Sequence, residues 1–86
     1  MRVHFSTHFH AYTGPKGTVE ARGATVGEVL ADVERQHPGL RFRIIDEQDH
    51  VRRHIKVFVN QHSIEDLGTP VAASDIVHVL GALSGG

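Results

Sequence analysis

The chain has no cysteine and no tryptophan. Without cysteine there are no disulfides, no thiolate metal sites and no cysteine nucleophile, so any sulfur chemistry must use another group. Long apolar runs are missing too: none approaches the ~18 residues of a membrane span. The stretch from Met1 to His10 carries Arg2, His4 and His8 where an export signal would be apolar. A cytoplasmic protein with no membrane partner is expected. Aromatic residues make up only 6 % and do not interleave with Lys or Arg, and a net charge of −1 offers no basic field to a phosphate backbone. Nucleic acid is therefore excluded as a partner. There is also no glycine-rich phosphate loop, no nucleophile beside a base and no carboxylate pair placed for acid–base work, so the chain holds no catalytic set of its own.

What remains is ordinary for a soluble globular domain: 86 residues, 40 % hydrophobic and 22 % charged. That length supports one modest core. From Arg2 to Phe9 apolar and polar residues alternate, with Val3, Phe5 and Thr7 on one face and His4, Ser6 and His8 on the other, which predicts a half-buried strand. The turn cluster Thr13-Gly14-Pro15-Lys16-Gly17 follows, and Val19 and Ala21 alternate inward again, so the two segments should form an antiparallel hairpin.

Thr25 and Glu28 have the spacing of a capping box, in which hydroxyl and carboxylate reciprocally satisfy amides of the first helical turn. Val26, Val29, Leu30 and Val33 then form one apolar stripe, and Pro38 stops the helix near Gln36. Between Leu40 and Arg53 the pattern is mixed; Phe42, Ile44 and Ile45 suggest a short strand before the polar break Asp46-Glu47-Gln48-Asp49. Ile55, Val57 and Val59 mark a strand that stops at Asn60-Gln61, and Ile64 and Leu67 bracket a turn or helical segment. In the last strand Val77 and Val79 face inward, while Ile76, His78 and Leu80 face outward. The whole is an α+β layout of one sheet covering one helix, with the final strand placed to lie parallel beside the first.

After Leu80 the chain closes with Gly81-Ala82-Leu83-Ser84-Gly85-Gly86, uncharged and slim. A domain over 1–80 with a flexible tail over 81–86 is expected. Extended, the tail reaches ~20 Å at about 3.3–3.6 Å per residue. A carboxylate on Gly86 could thus be threaded into a narrow channel, because glycine allows close backbone approach. A terminal remnant without a role is the plain alternative.

The body of the chain bears on that choice. Val57-Phe58-Val59-Asn60 is similar to a family strand ending in a Val-Asn turn. Ala73-Ser74-Asp75-Ile76-Val77 is similar to the family's aspartate turn into its last strand. Thr25-Val26-Gly27-Glu28-Val29-Leu30 resembles its helix start. In this order, ahead of Gly85-Gly86, the chain resembles the ubiquitin-like sulfur carriers of the MoaD and ThiS type, which include the small subunit of molybdopterin synthase.

The resemblance implies a β-grasp fold, a mixed sheet of four to five strands packed on one main helix. It implies adenylation of Gly86 by an E1-like enzyme using ATP and Mg²⁺, with sulfur from a donor protein then giving a thiocarboxylate for a sulfur-accepting synthase. Gly85, Ser84 and Leu83 would be read by the partner's channel. The chain would bind no cofactor, would be monomeric when free, and would act as a cosubstrate rather than an enzyme. Phe58, His78 and Leu80 are the candidate docking patch, since in a β-grasp sheet the third main strand adjoins the last. Many members carry a proline and a valine before the diglycine where this chain has Gly81, Ala82 and Leu83, a departure that bears on tail stiffness and choice of activating partner. The recipient of the sulfur, in cofactor, amino-acid, tRNA or metabolite biosynthesis, is not legible in the chain.

Two other readings remain open. The Gly86 carboxylate could end in an isopeptide bond, as in a ubiquitin-like modifier. Alternatively, the eight histidines could mark a metal-binding or interaction module, with His8 and His10 on one strand face as the first ligand pair. Solvated surface histidines are the plainer explanation, and no metal site is assigned.

Overall fold

Alternation builds the sheet. In the computed structural model, which describes residues 1–81, β1 (Arg2–Phe5) buries Val3 and Phe5, β2 (Thr18–Glu20) buries Val19, and β3 (Ile55–Val59) buries Ile55, Val57 and Val59. A short β4 (His62–Ile64) follows, and β5 (Ile76–Gly81) buries Val77 and Val79. The five-stranded sheet has the order β2-β1-β5-β3-β4. β1 and β5 run parallel, with Val3 beside Val77 and Phe5 beside Val79; every other neighbouring pair is antiparallel. The last strand therefore occupies the centre.

A single helix of useful length, α2 (Val26–Gln36), covers the inner face; the four-residue α1 (His10–Thr13) precedes it in the chain. Thr25 Oγ1 accepts the Glu28 N–H at 3.2 Å, as a capping box requires. The reciprocal bond is displaced by one residue: Glu28 Oε1 accepts from the Ala24 N–H at 3.0 Å. The next amides, Val26 and Gly27, donate to the carbonyls of Thr69 and Leu67. The helix start is thus closed by backbone. Val26, Val29, Leu30 and Val33 are all fully buried in one cluster with the inward strand residues. Burial of a leucine such as Leu30 stabilises by about 1.5–3 kcal/mol.

Several segments depart from the pattern expected of them. The first strand ends at Phe5 and not at Phe9, because a 3₁₀ turn over Thr7–Phe9 swings Phe9 into the core, where it is 1 % exposed and meets Phe5 edge to face. The stretch after Pro38 is not a strand but a short helix, α3 (Leu40–Ile44). Its first amides are held by a residue of α2: the Glu34 carboxylate accepts from Gly39 N–H and Arg41 N–H, both at 2.9 Å. Leu40, Ile44 and Ile45 go to the core, and Phe42 faces solvent. The segment around Ile64 is not a turn or helix at its start: His62–Ile64 is an edge strand, paired to β3 through a tight turn in which Asn60 takes a φ of 55°. Finally, β5 continues through Gly81, one residue past the expected domain boundary, paired there with Ile55.

Candidate functional site

With α2 on the inner face, the outward residues of β1, β5 and β3 form a second, uncovered face. Strand register decides which of them meet. Phe58 lies directly opposite His78 and Lys56 opposite Leu80 across the β3–β5 ladder, and His4 lies beside His78 across the parallel β1–β5 ladder. Phe58 and His78 are half-buried; Leu80 is 41 % exposed, one of the two large exposed hydrophobics among the described residues. The three patch residues thus share one face, with Leu80 next to the end of β5. The tail residues Leu83, Ser84, Gly85 and Gly86 lie outside the described residues.

His4 belongs to this face, though sequence reasoning did not include it in the patch. Its ring stacks on that of His78 at 5.3 Å with planes 15° apart. The outward alternation of His4 was legible; its neighbour was not, because that depends on the register between the first and last strands. Lys56 was likewise legible as outward but not as the partner of Leu80.

The two short motifs at the other end of β5 join in one structural cluster. Asn60 Nδ2 donates to Asp75 Oδ1 at 3.0 Å, Asn60 Oδ1 accepts the Ile76 N–H at 3.0 Å, and the Asn60 N–H donates to the Ile76 carbonyl at 2.7 Å. Asp75 Oδ2 also accepts the Ala72 N–H at 2.8 Å. The Ala72 amide first, and the Asn60 amide next, hold the Asp75 carboxyl below its ordinary value of 3.8. These residues fasten β5 to the β3–β4 turn, far from the tail.

Among the described residues no side chains are arranged as a reaction centre. An open hollow of about 590 Å³ lies beside the start of α2, lined by Glu28, Arg41, Asp49, Glu65 and Asp66 among others. It pairs no nucleophile with a base. Among the described residues no three His, Cys, Asp or Glu side chains are grouped to hold a metal ion. His8 and His10 do not share a strand face, since the strand ends before them: His8 packs on Gly81 and His10 on Gly17. Among the described residues no helix is long and apolar enough to cross a membrane.

Comparison with known proteins shows the family. A model of the ThiS family matches residues 3–86. The chain belongs to the ThiS family. Among curated relatives, the sulfur carrier protein CysO of Mycobacterium tuberculosis is 30 % identical over 91 residues, covering 100 % of this chain and 98 % of the relative. Like its ThiS-family relative, this chain is a sulfur carrier, a cosubstrate and not an enzyme.

Solved structures agree on the β-grasp architecture. The Amycolatopsis orientalis BexX/CysO complex contains a chain 35 % identical, with a TM-score of 0.89, covering 99 % of this chain and 98 % of that one. CysO of M. tuberculosis gives 0.87 at 29 % identity, covering 95 % and 98 %. SAMP1 of Haloferax volcanii gives 0.79 at 28 % identity, covering 100 % and 98 %.

Proposed function

We propose that this ThiS-family protein carries sulfur as a thiocarboxylate on Gly86. A carboxylate is a poor electrophile and must first be activated. Its oxygen attacks the α-phosphorus of ATP, with Mg²⁺, on an E1-like enzyme, and pyrophosphate leaves. The outer sulfur of a donor persulfide then attacks the acyl carbon and expels AMP, giving an acyl disulfide; a thiol attacks the donor's own sulfur, forming a disulfide with it, and the outer sulfur stays on the acyl carbon as a thiocarboxylate for an accepting synthase. The chain supplies the electrophile and the grip: Phe58, His78 and Leu80 dock, while Leu83, Ser84 and Gly85 are slim enough to be enclosed.

The observation that carries this reading is the position of β5, whose outward residues His78 and Leu80 share a sheet face with Phe58 and whose last residue, Gly81, directly follows Leu80. The solved BexX/CysO complex of a relative supports a carrier that acts while docked on another protein. A second reading, conjugation of Gly86 to a lysine amine, is supported by the likeness to small archaeal modifier protein 1 of H. volcanii.

Reconstitution with the cognate E1-like protein, ATP and a persulfide donor tests the first reading. AMP should be released and the carrier should gain the mass of sulfur replacing oxygen. Deleting Gly86 should abolish both without unfolding the domain, and appending one alanine should nearly do so by moving the carboxylate ~3.5 Å. A deletion variant that gains sulfur as readily as wild type would sink the proposal; ladders of conjugates in native extracts would favour the second reading.

A further inference from the structure

Gly81 is the last described residue, and it is held from three sides. Its N–H donates to Ser6 Oγ at 2.9 Å, and it pairs with Ile55 of β3. Ser6 is itself tied to the strand, its N–H donating to the Val79 carbonyl at 3.0 Å. On the third side lies His8. A Cβ built on Gly81 would stand 2.5 Å from His8 Cγ, 2.6 Å from its Cβ and 2.8 Å from its Cδ2.

Gly81 is not among the glycines with positive φ, so its backbone is open to any residue. Glycine is needed there for space alone. The atoms in the way are at the base of the imidazole and not at a free end, so a side chain at 81 cannot be accommodated by a rotamer change of a flexible tip. Nor can the His8 backbone retreat easily: the next residue, Phe9, is 1 % exposed in the core, and the His8 ring meets it edge to face at 5.0 Å.

We infer that Ser6 and His8 form a clamp at the root of the tail, fixing where and in which direction the chain leaves the sheet, with glycine at 81 as the only residue the clamp admits. This rests on the reading that Gly86 is the reacting group. His8 is then a positioning residue for activation of the terminus. Five residues separate Gly81 from the reacting carboxylate, a reach of about 17 Å at full extension, so the point where the chain leaves the sheet sets which positions the carboxylate can reach. Misplacement of a reacting atom by even ~1 Å can cost about a hundredfold.

Gly81→Ala should keep its melting transition but lose about ten- to a hundredfold in kcat/KM for activation. The decisive variant is the combination with His8→Gly: removing the imidazole together with its Cβ, which alone would stand 2.6 Å from the new methyl group, makes room for it, and most of the lost activity should return. A Gly81→Ala variant as active as wild type, or a double variant no better than the single one, would overturn the clamp. Should Gly81→Ala fail to fold, Ser6→Ala with His8→Ala carries the test by NMR. The Gly81 amide should have an order parameter near ~0.85 in the wild type and fall toward ~0.6 in that variant. An unchanged order parameter overturns the clamp. Wild-type protein that is never activated overturns the thiocarboxylate reading instead, and the NMR result then judges the clamp by itself.

Discussion

If Leu80 docks on the activating protein as proposed, its exposure sets how its apolar surface divides between docking and folding. It is 41 % exposed, beside the root of the tail and opposite Lys56. Burying a whole leucine side chain is worth about 1.5–3 kcal/mol, so enclosing the exposed share in a complex is worth about 0.6–1.2 kcal/mol. At about 1.4 kcal/mol per factor of ten, Leu80→Ala should weaken docking on the activating protein about three- to sevenfold. The share already covered within the domain, worth about 0.9–1.8 kcal/mol on the same scale, belongs to folding. The melting temperature should therefore fall as well, by roughly 4–8 °C for each kcal/mol lost. Titration of labelled carrier with the E1-like protein in the absence of ATP, at a temperature where the variant is fully folded, reads the first effect apart from the second. If the variant loses stability as calculated but binds within a factor of about 1.5 of wild type, Leu80 is not enclosed by the partner and the docking face has been misassigned.

Leu30→Ala, at a fully buried position on α2, should cost about 2–5 kcal/mol in urea melts; a loss below about 0.5 kcal/mol would show that the helix does not seat on the sheet. Backbone amides hold Glu34, Asp46 and Asp75 below their ordinary values of 4.5, 3.8 and 3.8, chiefly those of Gly39, His50 and Ala72. Because these folded pKa values are depressed, the stabilisation is complete above the ordinary values and is lost as pH falls through the folded ones. The urea midpoint should drop on acidification below about pH 4, and less steeply in Asp75→Asn; a midpoint flat down to about pH 2 would contradict the sign. Zn²⁺ should leave the melting temperature unchanged, since His8 and His10 pack on different glycines. Micromolar zinc binding lost on replacing both histidines would contradict that.

The elements legible in the sequence are those whose signal is local. Inward alternation in β1, β3 and β5 and the Thr25/Glu28 cap with its valine–leucine stripe need no neighbour to be read. The misread elements depend on partners outside themselves. Leu40-Arg41-Phe42-Arg43-Ile44 carries a strand-like alternation, and it is helical because Glu34, on another helix, caps its amides. β4 has no alternation to show, since His62 and Ser63 are exposed and Ile64 is half-buried; pairing with β3 alone makes it a strand. The site divides in the same way. Phe58, His78 and Leu80 were legible as outward residues of two strands. His4 joins them, and Ser6 and His8 reach Gly81, through a register that spans almost the entire chain, and no short window of sequence contains it.

The strand at the centre of the sheet is also the last to be synthesised. Until Ile76–Gly81 emerges, β1 with β2 and β3 with β4 are separate hairpins, each with a bare edge where β5 will lie. Pairs such as Arg2 with Ile76 close a loop of nearly full chain length, a contact that forms late and slowly. A chain interrupted during translation before β5 can therefore have neither a closed core nor the sheet face that joins Phe58 to His78 and Leu80. A partner that recognises the folded sheet therefore requires a chain whose synthesis has passed Ile76–Gly81.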